Sequence, residues 1–181
     1  QHIFLDPNPE PESTWHERER IFRLPRSTWK DYAPELISAG GGVFDRKAKA
    51  IPLSPQAQVL LGVDADSLTG DEIIRAILRM EVDLLWFGGI GTYVKSPLQS
   101  NLHVGDQAND NVRIDSTELR AKVVGEGANL GFTQLARIDY SNRGRLLNMD
   151  AIDNSAGVNM SDYEVNLKIL LQKLRRSGKL D

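Results

Sequence analysis

The sequence predicts an α/β fold built on a parallel sheet, and three observations carry that prediction. Helix-type and strand-type segments alternate along most of the chain, the order that crossover connections produce. Residues 82–87, VDLLWF, form a continuous apolar run of strand length, which suits a central strand covered on both faces. Three strand-like runs also end in loops of small or amide residues, at 88–92, 125–131 and 153–158. A parallel sheet gathers such loops at its carboxyl edge, where α/β folds bind ligands because small residues let backbone groups approach closely.

Taken in order, the elements begin with an apolar strand-like run, Ile3 to Leu5, followed by the proline-rich connector DPNPEPE. Thr14 and Glu17 have capping-box spacing and predict a helix opening there. Residues 25–62 are punctuated by glycine and proline and read as irregular with short helical turns. Thr69 and Glu72 form a second capping box, and Ile73, Ile77 and Met80 share one face of the helix it opens. After the 82–87 strand, a polar insertion at about 96–120 interrupts the alternation. The next strand is AKVV at 121–124, and Thr133 caps the helix that follows its glycine loop. A strand at 144–149 and a loop at 150–160 precede the last helix. That helix should open at Ser161 with Glu164 as its capping partner, and Lys173, Arg175, Arg176 and Lys179 suit its negative end.

Composition narrows the chemistry. The 181 residues carry a net charge of −3 and 26% charged side chains, so no basic field points to nucleic acid or an anionic membrane. The chain has no cysteine, which removes disulfides, thiolate metal sites and a cysteine nucleophile. No apolar run approaches the roughly 20 residues of a membrane helix. His2, His16 and His103 are scattered without metal-ligand spacing, and Asp106, Asp110 and Asp115 read as a solvated or interface loop. Trp86 and Phe87 read as core. The opening QHIFLDPNP has no initiator Met and reads as a piece of a longer polypeptide.

The loop VVGEGANLGFT, 123–133, has the spacing of a pyrophosphate-binding turn, and Asp150 lies where a ribose-reading acid belongs. Glu126 counts against that reading, because it puts a negative charge where phosphates would sit. The late helix start after Phe132 also counts against it. A plain strand-to-helix turn and another ligand role stand beside it. Similarly, Ser161 reads locally as a helix cap, and Asn129 and Asn154 as left-handed turn residues.

The segments GEGANLGFTQLAR and GRLLNMDAIDNSAGVNMSDYE resemble the later half of the nucleotide-binding domain of glutamate dehydrogenases. HIFLDPNP, GGGVF, IPLSP, WFGGIGTYVK and GDQANDNVR bring the chain closer to the large bacterial NAD-specific members. The resemblance covers essentially the whole chain. It implies a Rossmann-like parallel sheet with flanking helices, incomplete at its N-terminal side, within a single domain fragment spanning 1–181. It also implies NAD as cofactor and L-glutamate and 2-oxoglutarate as substrate and product, in a cytoplasmic homo-oligomer. The family's phosphate loop, ribose-reading acid and catalytic lysine would lie upstream, so the segment alone would be inactive and contribute no catalytic residue.

By the same resemblance Asn129 lies near the nicotinamide ribose, Asn154 near the carboxamide, and Ser161 on the substrate's side-chain carboxylate. Gly127 shapes the turn presenting Asn129, while Gly88, Gly89 and Gly91 line the cofactor's other side. Ala156 stands where smaller members have glycine, and Asp162 where they have an aromatic residue. A dehydrogenase for leucine or phenylalanine is the nearest alternative, for which an apolar pocket would not need Ser161. A non-catalytic nucleotide-sensing module is the alternative of a different class.

Overall fold

Helix and strand do alternate, in two units, Gln1–Met80 and a second beginning at Glu81. The computed structural model describes residues 1–180. In the first unit, β1 (His2–Leu5) pairs antiparallel with β2 (Gly42–Asp45). Between them runs α1 (Pro11–Arg23). A two-residue antiparallel pair, β3 (Ile51–Pro52) with β4 (Ser67–Leu68), encloses α2 (Pro55–Leu61). The unit closes with α3 (Gly70–Leu78). Ile3, Leu5, Ile51, Leu61 and Ile73 form its core, against which Ile77 and Met80 pack from the side. The Thr69–Glu72 box that opens α3 is fully formed.

Helix α1 starts earlier than Thr14. Pro11 takes the first position, where its missing N–H costs nothing, and Glu10 caps by accepting from Glu12 N and Ser13 N. Glu17 is committed elsewhere: it takes two bonds from Arg20 and one from Ala33 N at 2.7 Å. Those bonds, the arginine's first, hold its carboxyl below the usual range.

The second unit holds the parallel sheet, in the order β5 (Leu84–Phe87), β8 (Val123–Glu126), β9 (Leu146–Leu147). Between β5 and β8 lie β6 (Val94–Lys95), α4 (Asn101–Val104) and β7 (Ile114–Asp115), and β6 pairs in parallel with β7. Helix α5 (Gln134–Asn142) links β8 to β9, opened by Thr133 accepting from Ala136 N. Then α6 (Asp150–Asp153) leads into α7 (Ser155–Arg176). Phe132 lies between Phe87 and Tyr140 at ring distances of 5.7 and 5.8 Å. Tyr140 is fully buried, donates to Ala121 O at 2.6 Å, and has its hydroxyl pKa pushed up by that burial.

Two expectations fail here. The 82–87 strand is central in neither sense: among the described residues β5 ends the sheet. Leu84 and Trp86 share one face with Val123 and Leu146, and that face is open, with Trp86 59% exposed. Only the other face, carrying Phe87, Val124 and Glu126, is buried. The 150–160 stretch is also helical, so α7 opens at Ser155 with Asn154 as its N-cap, and Ser161 stands two turns inside. Helix α7 thus starts six residues ahead of Ser161, directly after α6, whose own first turn carries Asp150 and Asp153 at the favourable end.

Candidate functional site

The strands β5, β8 and β9 run parallel, so the turns that follow them emerge at one edge of the sheet. Gly88, Gly89 and Gly91 follow β5, Gly127 and Asn129 follow β8, and Asn154 and Ser161 come after β9 and α6. The turn after β8 is the most fully determined. Gly125 and Gly127 lie beneath the indole of Trp86: a Cβ added to them would come within 2.3 and 2.2 Å of the ring. Neither glycine has a left-handed φ; they are there for space. The left-handed position belongs instead to Leu130, with φ of 64°, a conformation that side chains other than Asn and Asp seldom take.

Glu126, between those glycines, is fully buried. Its carboxylate receives Arg137 Nε and Nη2 at 2.7 and 2.8 Å, a fork-to-fork pair against α5. That pairing raises the guanidinium pKa further. The charge that looked misplaced in a phosphate loop is thus a tether to the next helix. The arrangement is unlike a pyrophosphate turn.

From β9 the chain reaches back to the same turn. Asp153 Oδ2 accepts from Glu126 N at 3.0 Å, and Asp150 Oδ2 from Leu130 N at 2.8 Å. Asp150 Oδ1 also lies 3.4 Å from Arg137 Nη2. Above these ties Asn154 Nδ2 donates to Asn129 Oδ1 at 2.7 Å, joining two residues 25 positions apart. This bond leaves Asn129 Nδ2 and Asn154 Oδ1, a donor and an acceptor, which is the complement of a carboxamide. Asn154 and Ser161 are seven residues apart, so they share a face of the helix about two turns from one another. Ser161 is exposed. Gly157 passes close to Asn154, where an added Cβ would meet Oδ1 at 2.3 Å.

The turn after β5 is braced differently. Gly88 and Gly89 are exposed, and a Cβ on Gly89 would meet nothing within 4 Å. Gly91 is buried with φ of 138°, against Asn109. Asp106 Oδ2 accepts from Thr92 N and from Asn109 Nδ2, both at 2.8 Å, which lowers its pKa, the Thr92 bond most. Arg113, whose side chain is fully buried, donates to Thr92 O, Asn101 Oδ1, Asp110 Oδ1 and Asp106 O. The insertion at 96–120 is therefore packed, with Val112, Ile114 and Leu119 buried. Its Asp106 and Asp110 surround an arginine, and Asp115 pairs with Lys95. Among the described residues no group of three or more His, Asp or Glu could hold a metal ion, and no helix is long and apolar enough to cross a membrane.

Reading residue by residue missed the Glu126–Arg137 pair, the Asp153 tie and the indole over the glycines. Asp150 stood out in the sequence for a ribose role; here it holds protein backbone. A charged side chain at 137, on the face of α5 that also carries Ala136 and Tyr140 inward, was the available signal for the pair.

Comparison with known proteins adds to this geometry. The bacterial NAD-glutamate dehydrogenase catalytic domain matches residues 1–181. An NAD-specific glutamate dehydrogenase of Pseudomonas aeruginosa is 55% identical over 177 residues, 98% of this chain. Proteins of the same name from Mycobacterium tuberculosis and Halomonas elongata are 53% and 51% identical, over 98% and 99% of the chain. The chain spans 11% of the length of each of these relatives.

Proposed function

This chain belongs to the bacterial NAD-glutamate dehydrogenase family, and on that premise we propose that it forms the later part of the nucleotide-binding region of an enzyme that oxidatively deaminates L-glutamate to 2-oxoglutarate and ammonium. The observation that carries the reading to particular residues is the Asn129–Asn154 hydrogen bond at the carboxyl edge of the sheet. Bound there, NAD would supply the hydride acceptor.

In this reading Asn129 and Asn154 hold the nicotinamide end, offering Nδ2 and Oδ1 to a carboxamide or to ribose hydroxyls. Gly127 shapes the turn that presents Asn129, and Gly88, Gly89 and Gly91 border the cofactor's other side, where the open space over Gly89 suits a ligand. Ser161, on the same helix face as Asn154, donates its hydroxyl to the side-chain carboxylate of glutamate. This assignment does not compete with a capping role, since Ser161 lies inside α7, which begins at Ser155. The residues of this segment bind and orient, and the proton-transfer groups of the reaction belong to other parts of a full-length, oligomeric enzyme. The 181-residue segment by itself is expected to be inactive.

Steady-state kinetics of the full-length protein test the assignment. Asn154→Ala should lower kcat/KM for NAD by about tenfold or more, the scale of a lost hydrogen bond to a bound polar group. Ser161→Ala should raise KM for glutamate by a similar factor and leave KM for NAD near its native value. A native glutamate KM in Ser161→Ala would remove that residue from the substrate site, and native kinetics in Asn154→Ala would remove the nicotinamide reading.

A further inference from the structure

Resting on the nicotinamide assignment above, we infer that Asp150 is a positioning residue: its carboxylate holds the turn after β8 in the one conformation that brings Asn129 to Asn154. Three observations converge on it. Leu130, directly after Asn129, has φ of 64° and a side chain that is 59% exposed, so its own packing does little to compensate for a left-handed backbone. The N–H of that same residue donates to Asp150 Oδ2 at 2.8 Å. Asp150 is in turn fixed from two sides: Oδ1 accepts from Ala151 N at 2.9 Å and lies 3.4 Å from Arg137 Nη2, which is itself locked to buried Glu126.

The consequence lies in how the two asparagines meet. Asn129 sits in the turn after β8, and Asn154 caps α7 beyond β9. Asp153 ties the last residue of β8, through Glu126 N, and Asp150 ties the far side of the turn, through Leu130 N. With the far tie removed, Leu130 can leave the left-handed region, and the peptide following Asn129 rotates. The Asn129 side chain then loses its set distance from Asn154 while β8 and α5 remain in place. Hydride transfer is sensitive to displacements of about an ångström, so a change of this kind acts on turnover more than on overall cofactor affinity.

The test uses the full-length protein. In Asp150→Ala, residue-resolved amide exchange without cofactor should show Leu130 exchanging at least about tenfold faster while β8 amides are unchanged. Its kcat should fall about tenfold, with KM for NAD within about threefold of native. Asp150→Asn keeps an oxygen for the Leu130 N–H and should stay within about threefold of native in both exchange and kcat. Native exchange at Leu130 in Asp150→Ala overturns the inference. So does a kcat loss that merely tracks loss of folded protein, or a loss that Asp150→Asn shares in full. If Asp150→Ala does not fold, Asp150→Asn decides alone, and a tenfold fall in its kcat overturns the proposal. Faster Leu130 exchange with native kcat also overturns it; a silent Asn154→Ala then removes the nicotinamide reading too, whereas an impaired one confines the failure to Asp150.

Discussion

The turns after β5 and β8 read alike in the sequence, each a strand running into glycines, yet the structure builds them on different physics. In both, an aspartate accepts a backbone N–H and a buried arginine lies beside it: Asp106 with Arg113 at Thr92, and Asp150 with Arg137 at Leu130, while Asp153 separately holds Glu126 N. The glycines differ. Gly125 and Gly127 are filled over by Trp86, whereas a Cβ on Gly88 would only reach ordinary contact with that indole, at 3.7 Å, and one on Gly89 would meet nothing within 4 Å. Protein packing accounts for Gly125 and Gly127. It does not account for Gly89, which in the proposed function lies beside the cofactor.

The comparison can be broken first at its buried charge. Glu126→Gln removes the forked carboxylate from buried Arg137 and leaves Asp150, at 3.4 Å, as its carboxylate partner. It should destabilise β8 by about 3–5 kcal/mol, seen as faster native-state exchange of the Val124 amide. An effect below about 1 kcal/mol would mean that the two turns do not depend on their arginines in the way described. A smaller effect tests the indole. Gly127→Ala should cost about 1–3 kcal/mol, because the added methyl meets Trp86. The same change in a Trp86→Ala background should cost under about 0.5 kcal/mol. Equal costs in both backgrounds would show that Gly127 is required for its backbone and not for the ring above it.

Much of both units was legible in the sequence because local rules set it. Thr69, Glu72 and Thr133 open their helices as their spacing requires, and the parallel alignment of β5, β8 and β9 follows from the alternation. The carboxyl-edge grouping of Asn129 and Asn154 followed from that alignment. What could not be read depends on contacts distant in sequence. Glu17 satisfies Ala33 N across 16 positions and so leaves the cap of α1 to Glu10. Trp86 has core-type chemistry, but its face of the sheet is uncovered among the described residues. The left-handed residue of a glycine-rich turn proved to be Leu130, because Asp150, 20 positions later, holds it there. The start of α7 was misplaced because the Ser161–Glu164 spacing fits a cap, whereas the chain is already helical from Ser155 and Ser161 lies inside the helix.

If both turns border one cofactor site, amide exchange of the full-length protein with and without saturating NAD will report it. Binding should slow exchange in residues 88–92 and 127–130 together, by a factor that grows with NAD concentration. Slowing in neither segment would contradict the account, and slowing confined to 127–130 would remove the open glycines after β5 from the site.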